Sequence, residues 1–224
     1  MNLMDTRRPR ASLGLADRFW LLVHDCLSWK PQLAEPAMGF GLAAALLGEQ
    51  IFVGNCSIVN DEIRWYRTPR LTDSLVQSVA HQLYWAQVEA DAPIKIATAL
   101  DLLRRNAYVD VAERLHRYGI ARRDHSRRIF RTAVRYPVVD PNAGMSLRAH
   151  LDNALFSDSE PQIGDHFVAV LVWATYLTRD VFPDVLDSAA ALARYRTKLP
   201  PVHRLIVEFT RSGIDEAVAS RGGH

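Results

Sequence analysis

Residues 37–53 read Ala-Met-Gly-Phe-Gly-Leu-Ala-Ala-Ala-Leu-Leu-Gly-Glu-Gln-Ile-Phe-Val, and this stretch decides the fold. Fifteen of its residues are apolar or small, and only Glu49 and Gln50 break the run. Pro36 stands just before it in a first-turn position, and Gly54 follows as a left-handed helix stop. A helix that is apolar all round must be buried on all sides. This one is too short, and too interrupted at Glu49, to span a bilayer. It is the expected centre of a helical core.

The flanks read outward from that helix. Residues 13–25 (LGLADRFWLLVHD) predict an amphipathic helix, and residues 55–66 (NCSIVNDEIRWY) a two-stranded ribbon turning at Asn60-Asp61. Thr72-Asp73 caps a helix running to about Glu89, whose apolar stripe is Leu75, Val76, Val79, Leu83 and Ala86. Asp91-Ala-Pro93 breaks it. A second helical region starts at Ile94, bends near Asn106 and ends at Gly119. Residues 120–135 predict a second hairpin centred on Asp124-His125-Ser126, and helices are expected over 146–156, 165–179, 184–195 and 202–219. The expected fold is mainly α: one compact helical domain over residues 13–219, with a buried Ala/Leu-rich central helix and two small surface β-hairpins. Residues 1–12 are expected to be a mobile tail.

Composition narrows the function. The 224 residues are 49% apolar and 23% charged, the balance of a soluble globular protein. Arg7, Arg8 and Arg10 are followed by too short an apolar run for a secretory signal, and no transmembrane segment is expected. Cys26 and Cys56 have neither metal-ligand nor redox spacing, which points to a reducing cytoplasm. Net charge is +2, but residues 104–135 hold ten arginines and three acids. That segment is +7, leaving −5 for the remainder, and it predicts a local positive field. The fitting partners are anionic lipid, nucleic acid or an acidic protein surface.

No nucleophile-and-base motif, phosphate-cradling glycine loop or metal-ligand pair stands in the sequence, so no enzyme, cofactor or metal is expected. The adjacent pairs His24-Asp25, Asp124-His125 and Asp165-His166 read as surface or capping residues, because neighbours on a helix do not face one another. Asp180, Asp184 and Asp187 read as a solvated helix start. The basic hairpin carries Arg122, Arg123, Arg127 and Arg128 around its expected tip, with Arg131 and Arg135 on its second strand. Arginine grips phosphate bidentately, and a charged edge strand also resists aggregation. A winged-helix reading takes residues 94–104, 107–118 and 120–132 as helix, recognition helix and wing. Its exposed helix face would present Asp110 and Glu113 beside Arg114 and Arg117, so only weak, sequence-indifferent nucleic-acid binding is expected.

The succession of elements resembles the Golgi phosphoprotein 3 family, whose eukaryotic members are phosphatidylinositol-4-phosphate-binding adaptors on Golgi membranes. Leu13 to Leu22 matches the family's leucine-rich opening helix, and the Ala/Leu helix, a Gly and a strand follow in order. Ala112-Glu-Arg-Leu-His-Arg-Tyr-Gly-Ile120 fits its E-R-L turn, Tyr136-Pro137 with Asp140 its Y-P-x-x-D step, and residues 147–155 and 165–182 its paired C-terminal helices. The resemblance covers residues 13–200 and implies a non-enzymatic peripheral membrane or adaptor protein of the cytoplasm. It places the family's lipid-binding tryptophan and arginines at Ala34, Ala43, Arg105 and Tyr108, so only Arg105 survives. Trp29, earlier in the same loop, and Arg104 are candidate replacements, which makes anionic lipid a partner of open head-group specificity. The resemblance also implies self-association through the second hairpin, where neighbouring Ile129 and Phe130, flanked by Arg128 and Arg131, put an apolar side chain on each face. The Arg- and Ala-rich usage suits a high-GC bacterium.

Overall fold

A computed structural model describes residues 13–25, 28–66, 73–128, 131–156, 162–182 and 188–221. The expected tail, Cys26, Ile129, Phe130, Asp184 and Asp187 lie outside the described residues. The fold is mainly α, with ten helices, a three-stranded sheet and a separate two-stranded ribbon among the described residues.

The central helix forms where the apolar run predicts it. α1 (Leu15–Leu22) leads to α2 (Glu35–Phe52), which is buried at every residue from Pro36 to Gln50. α1, α4, α5, α7 and α10 all pack on α2, and one continuous apolar cluster runs through these elements. Gly54, at φ +75, ends the helix as expected.

β1 (Cys56–Val59) and β2 (Glu62–Trp65) pair antiparallel with Ile58 opposite Ile63. Asn60 and Asp61 take φ 50 and 64 between them, the left-handed pair of a tight hairpin turn. The ribbon gains a third strand that the sequence reading assigned to helix: β3 (Ile94–Lys95) pairs with β2, placing buried Ile94 opposite Ile63. Two residues are too few to show a period, and only tertiary pairing reveals them.

α3 (Ser74–Ala90) is capped by Asp73, whose Oδ1 accepts from the Leu75 and Val76 N–H groups at 2.7 and 3.0 Å. α4 (Ile96–Arg104) and α5 (Ala107–Arg117) realise the predicted bend at Asn106, and Gly119 at φ +71 ends the second. β4 (Asp124–Arg128) pairs with β5 (Arg131–Arg135), Arg128 opposite Arg131. The expected tip therefore moves. Asp124, His125 and Ser126 belong to the first strand, and Arg122 and Arg123 stand at the base of the hairpin.

α6 (Ala143–Phe156) starts earlier than predicted. The helix expected over 165–179 is two pieces, α7 (Ile163–Ala174) and α8 (Thr178–Val181). Tyr176, at φ 64, turns the chain between them, while Leu177 and Val181 stay buried. Apolar periodicity alone misses such a break because the core face continues through it. α9 (Ser188–Lys198) and α10 (Pro201–Arg221) complete the chain, and α10 runs along α2, α4 and α7.

Candidate functional site

The surface at the start of α2 gathers the residues singled out in sequence. Arg104 ends α4 against α2: its carbonyl oxygen lies 3.0 Å from where a Cβ on Gly39 would stand, and its guanidinium sits 5.0 Å from the Phe40 ring centroid. Arg104 and Arg105 share one carboxylate, Asp101, at 2.7 and 3.2 Å. The hydrogen bond from Arg104 holds the Asp101 carboxyl below the usual carboxylate range. Two arginines on one acid leave one formal positive charge, and Arg105 carries it outward with 66% of its side chain exposed. Trp29 lies in the loop that enters α2, half-buried against the core and at φ 52, a conformation uncommon for a bulky residue. Its N–H donates to the Asp25 carbonyl at 2.9 Å. No bond joins Trp29 to either arginine among the described residues; what they share is the same end of α2.

The two positions where the resemblance implies further arginines, Ala43 and Tyr108, are filled differently. Ala43 is fully buried. Tyr108 turns inward, its hydroxyl 3.3 Å from His24 Nε2 and its ring 5.9 Å from Trp20. His24 stacks on Trp20 at 3.9 Å, and Nδ1 lies 2.6 Å from the Trp20 carbonyl oxygen. Burial pushes the His24 imidazole down to about 4, so it is neutral at physiological pH. Trp20, His24 and Tyr108 therefore form an aromatic cluster that carries no charge at physiological pH. His24 is also not the surface residue that sequence suggested.

At the other end of α2 lies a group that sequence reasoning missed. Arg114 is fully buried and donates Nε to Asp17 at 2.8 Å, Nη1 and Nη2 to the two Glu49 oxygens at 2.8 Å each, and Nη1 to Asp73 at 3.4 Å. Glu49 Oε1 also accepts the Ala16 N–H at 2.9 Å, and Asp17 accepts that of Gly14 at 3.0 Å. One guanidinium thus ties α5 to α2 and to the N-termini of α1 and α3, where carboxylates are favoured by the helix dipoles. Burial pushes the Asp17 carboxyl up to about 6, with Arg114 opposing and Glu49 reinforcing the shift. Burial alone would lower the Arg114 pKa, but Glu49, Asp17 and Asp73 outweigh it and hold the guanidinium firmly charged. Gly14 is required by close approach: a Cβ there would collide with Glu49 Oε1 and lie 3.1 Å from Arg114 Nη2.

Glu49 and Asp73 of this group line an open cleft of about 770 Å³, bordered by Leu13, Arg18, Phe52, Tyr118 and Ile163, while Arg114 and Asp17 lie buried beneath it. Arg18 crosses its rim to Asp165 at 2.6 Å, and Asp165 also meets His150 at 3.2 Å. Asp165, expected as a surface or capping residue, is buried. The signal for the cluster was present at Glu49: a carboxylate on a helix buried all round needs a buried cation, although sequence does not say which.

These pairings also change the meaning of the +7 segment. Arg114 is cancelled by acids from outside it, Arg104 and Arg105 are half-cancelled by Asp101, and Arg123 reaches Glu113 at 3.3 Å. Arg122, Arg117 and Arg135 remain exposed. The side chains of Arg127, Arg128 and Arg131 lie outside the described residues. Among the described residues no cluster of His, Cys, Asp and Glu could hold a metal ion, and no helix is long and apolar enough to cross a membrane.

The sequence motifs meet in space: Arg114 of the E-R-L turn is the hub, and Tyr136 of the Y-P step donates to Glu113 of the same turn at 2.6 Å. Comparison with protein families gives a match to the Golgi phosphoprotein 3 (GPP34) model over residues 15–209. The chain belongs to the Golgi phosphoprotein 3 family. Comparison with curated proteins gives no match. The family match spans the elements from α1 to the first part of α10, through residue 209, so both ends of α2 lie inside the shared scaffold.

Proposed function

We propose that this member of the Golgi phosphoprotein 3 family is a non-enzymatic, peripheral membrane or adaptor protein of the cytoplasm. It binds anionic lipid head groups through the surface at the start of α2, with Arg105 and Arg104 as the head-group ligands and Trp29 beside them. The observation that carries this reading is Arg105, whose side chain is two-thirds exposed where the resemblance places a lipid-binding arginine. Each basic residue near an anionic surface contributes about 1 kcal/mol, so a few such groups give transient, salt-sensitive attachment. The neutral His24, buried Ala43 and inward Tyr108 support a corollary. The head group is read by charge, with little preference among phosphoinositides.

Co-sedimentation with phosphatidylcholine vesicles, alone and with phosphatidylserine or single phosphoinositide isomers, tests both parts. Pelleting with every anionic composition, fading as salt rises, supports the reading. Negligible pelleting at low salt ends it, and strong selection of the 4-phosphate isomer ends the corollary.

Nucleic acid is the weaker alternative. The exposed face of α5 loses Arg114 to the core and retains Asp110, exposed like Arg117. The β4–β5 ribbon with its base arginines Arg122 and Arg123 is proposed as a protein or self-association surface, since a two-stranded ribbon is marginal in isolation. Replacing residues 122–131 by a short glycine turn should lower the mass measured by light scattering; an unchanged mass removes that role.

A further inference from the structure

A second set of arginines is held in place without carboxylate partners among the described residues. Arg211 on α10 lies 4.2 Å from the ring centroid of Trp173 and 4.5 Å from that of Tyr176. Arg196 on α9 lies 5.3 Å from the same Trp173 ring. Distances of 5.3 and 4.2 Å to one centroid keep the two guanidinium carbons within 9.5 Å of each other, the sum of the two. Trp173, Arg196 and Arg211 are half-buried, and Tyr176 is exposed. Tyr176 is fixed in turn, at φ 64 and with its hydroxyl donating to Asp215 at 2.7 Å. Among the described residues no ion pair joins Arg196 or Arg211 to an acid; Asp215, one turn along α10 from Arg211, accepts from the Tyr176 hydroxyl and offsets part of the positive charge on that side.

A guanidinium lying over an aromatic ring keeps its N–H edges free while losing most of its side-chain freedom. The entropy of ordering two long side chains is then already met before a ligand arrives. Two such cations on one indole repel each other, and an oxyanion held between or beside them relieves that repulsion while accepting paired N–H bonds. A doubly charged phosphate monoester matches two guanidiniums better than a single carboxylate does.

We propose that Arg196 and Arg211, positioned by Trp173 and Tyr176, form a phosphate-monoester site separate from the surface at the start of α2. The phosphate is either the head group of a phosphomonoester lipid or a soluble phosphate compound, and the chemistry of recognition is the same. The site does not depend on the head-group reading of Arg104 and Arg105.

The direct test is NMR of the arginine Nε–H resonances of the full chain during titration with inorganic phosphate, with Arg196→Gln and Arg211→Gln giving the assignments. Both resonances should shift and saturate together. Arg211→Gln should weaken the apparent phosphate affinity about tenfold, Arg211→Lys by several fold because charge without the fork is kept, and Arg64→Gln, an exposed arginine outside both sites, should leave it unchanged. Thermal melts of each variant separate loss of site from loss of fold. The source is read from vesicles: several-fold less pelleting of Arg211→Gln on phosphatidic acid than wild type, with phosphatidylserine unaffected, assigns the lipid. Wild-type pelleting with the phosphate shift intact assigns a soluble ligand. Resonances that do not move, or move equally in Arg211→Gln at the remaining arginine, overturn the site. If no anionic vesicle binds but the shift persists, the head-group reading fails while this one stands.

Discussion

Arg114 on α5 and Arg105 at the C-terminal cap of α4 meet opposite fates. Arg114 is fully buried, forked onto Glu49 and bonded to Asp17, with Asp73 close by. Arg105 is two-thirds exposed and shares the single carboxylate of Asp101 with Arg104. The first holds three helices to α5 and has no free N–H edge to offer a ligand. The second stabilises little, because exposed pairs contribute about 0–1 kcal/mol, and for that reason its charge is available. The two ends of α2 thus divide a structural arginine from an exposed one, to which the proposed function assigns recognition. A count of arginines along the chain cannot make that division.

The sharpest way to break the comparison is to remove Arg114. Arg114→Ala leaves two fully paired carboxylates buried without their cation, and loss of one partner of a buried ion pair costs about 3–5 kcal/mol. Urea denaturation should show that loss, or no folded protein at all. A variant within about 1 kcal/mol of wild type would mean that the cluster is not the hub described.

Acid pH should act next in size. His24 and His203 are held down to about 4 by burial, so the unfolded chain takes up a proton at each of these sites between about 6.5 and 4 that the folded chain refuses. Their stabilisation is complete above about pH 6.5 and is lost as pH falls toward 4. Asp17, pushed up to about 6, has the opposite sign: its folded form binds a proton between about 6 and 3.8 that the unfolded chain lacks. It therefore favours the folded state increasingly as pH falls through that window. Two groups oppose one, so stability should fall from pH 7 to 4 by on the order of 3 kcal/mol. Asp17→Asn removes the opposing group and should steepen the fall, read as melting temperature against pH. A flat profile in both proteins contradicts the burial of these histidines.

Gly14→Ala probes the close packing over the cluster. Its Cβ would strike Glu49 Oε1, a group locked by two guanidinium bonds and the Ala16 N–H, so the carboxylate must shift. The expected cost is about 1–3 kcal/mol, the usual range for overpacking. At the exposed end, Arg105→Gln should change stability by less than about 0.5 kcal/mol. Equal destabilisation by the two substitutions would erase the contrast between the ends of α2.

How much of this was readable from sequence follows the same division. The buried central helix, the Asn60-Asp61 turn, the Asp73 cap and the Gly119 stop were legible because each is written locally, in an apolar run or a turn residue. β3, the break at Tyr176 and the register of the second hairpin were not, because pairing and burial across the fold decide them. Glu49 announced a buried charge without naming Arg114, its partner 65 positions away. Arg105 was singled out in sequence by its place before the Gly119 stop and is exposed in the structure, whereas the inward turn of Tyr108 onto His24 depends on α1 lying beside α5.

The central claim is that the exposed arginines at the start of α2 bring this protein to anionic membranes. Its most direct test is co-sedimentation of wild type and Arg104→Gln/Arg105→Gln with phosphatidylserine-containing vesicles at low salt, with melting temperatures measured in parallel. Matched melting temperatures, clear pelleting of the wild type and a several-fold loss in the variant are predicted. Equal pelleting of the two proteins, or none of either, contradicts it.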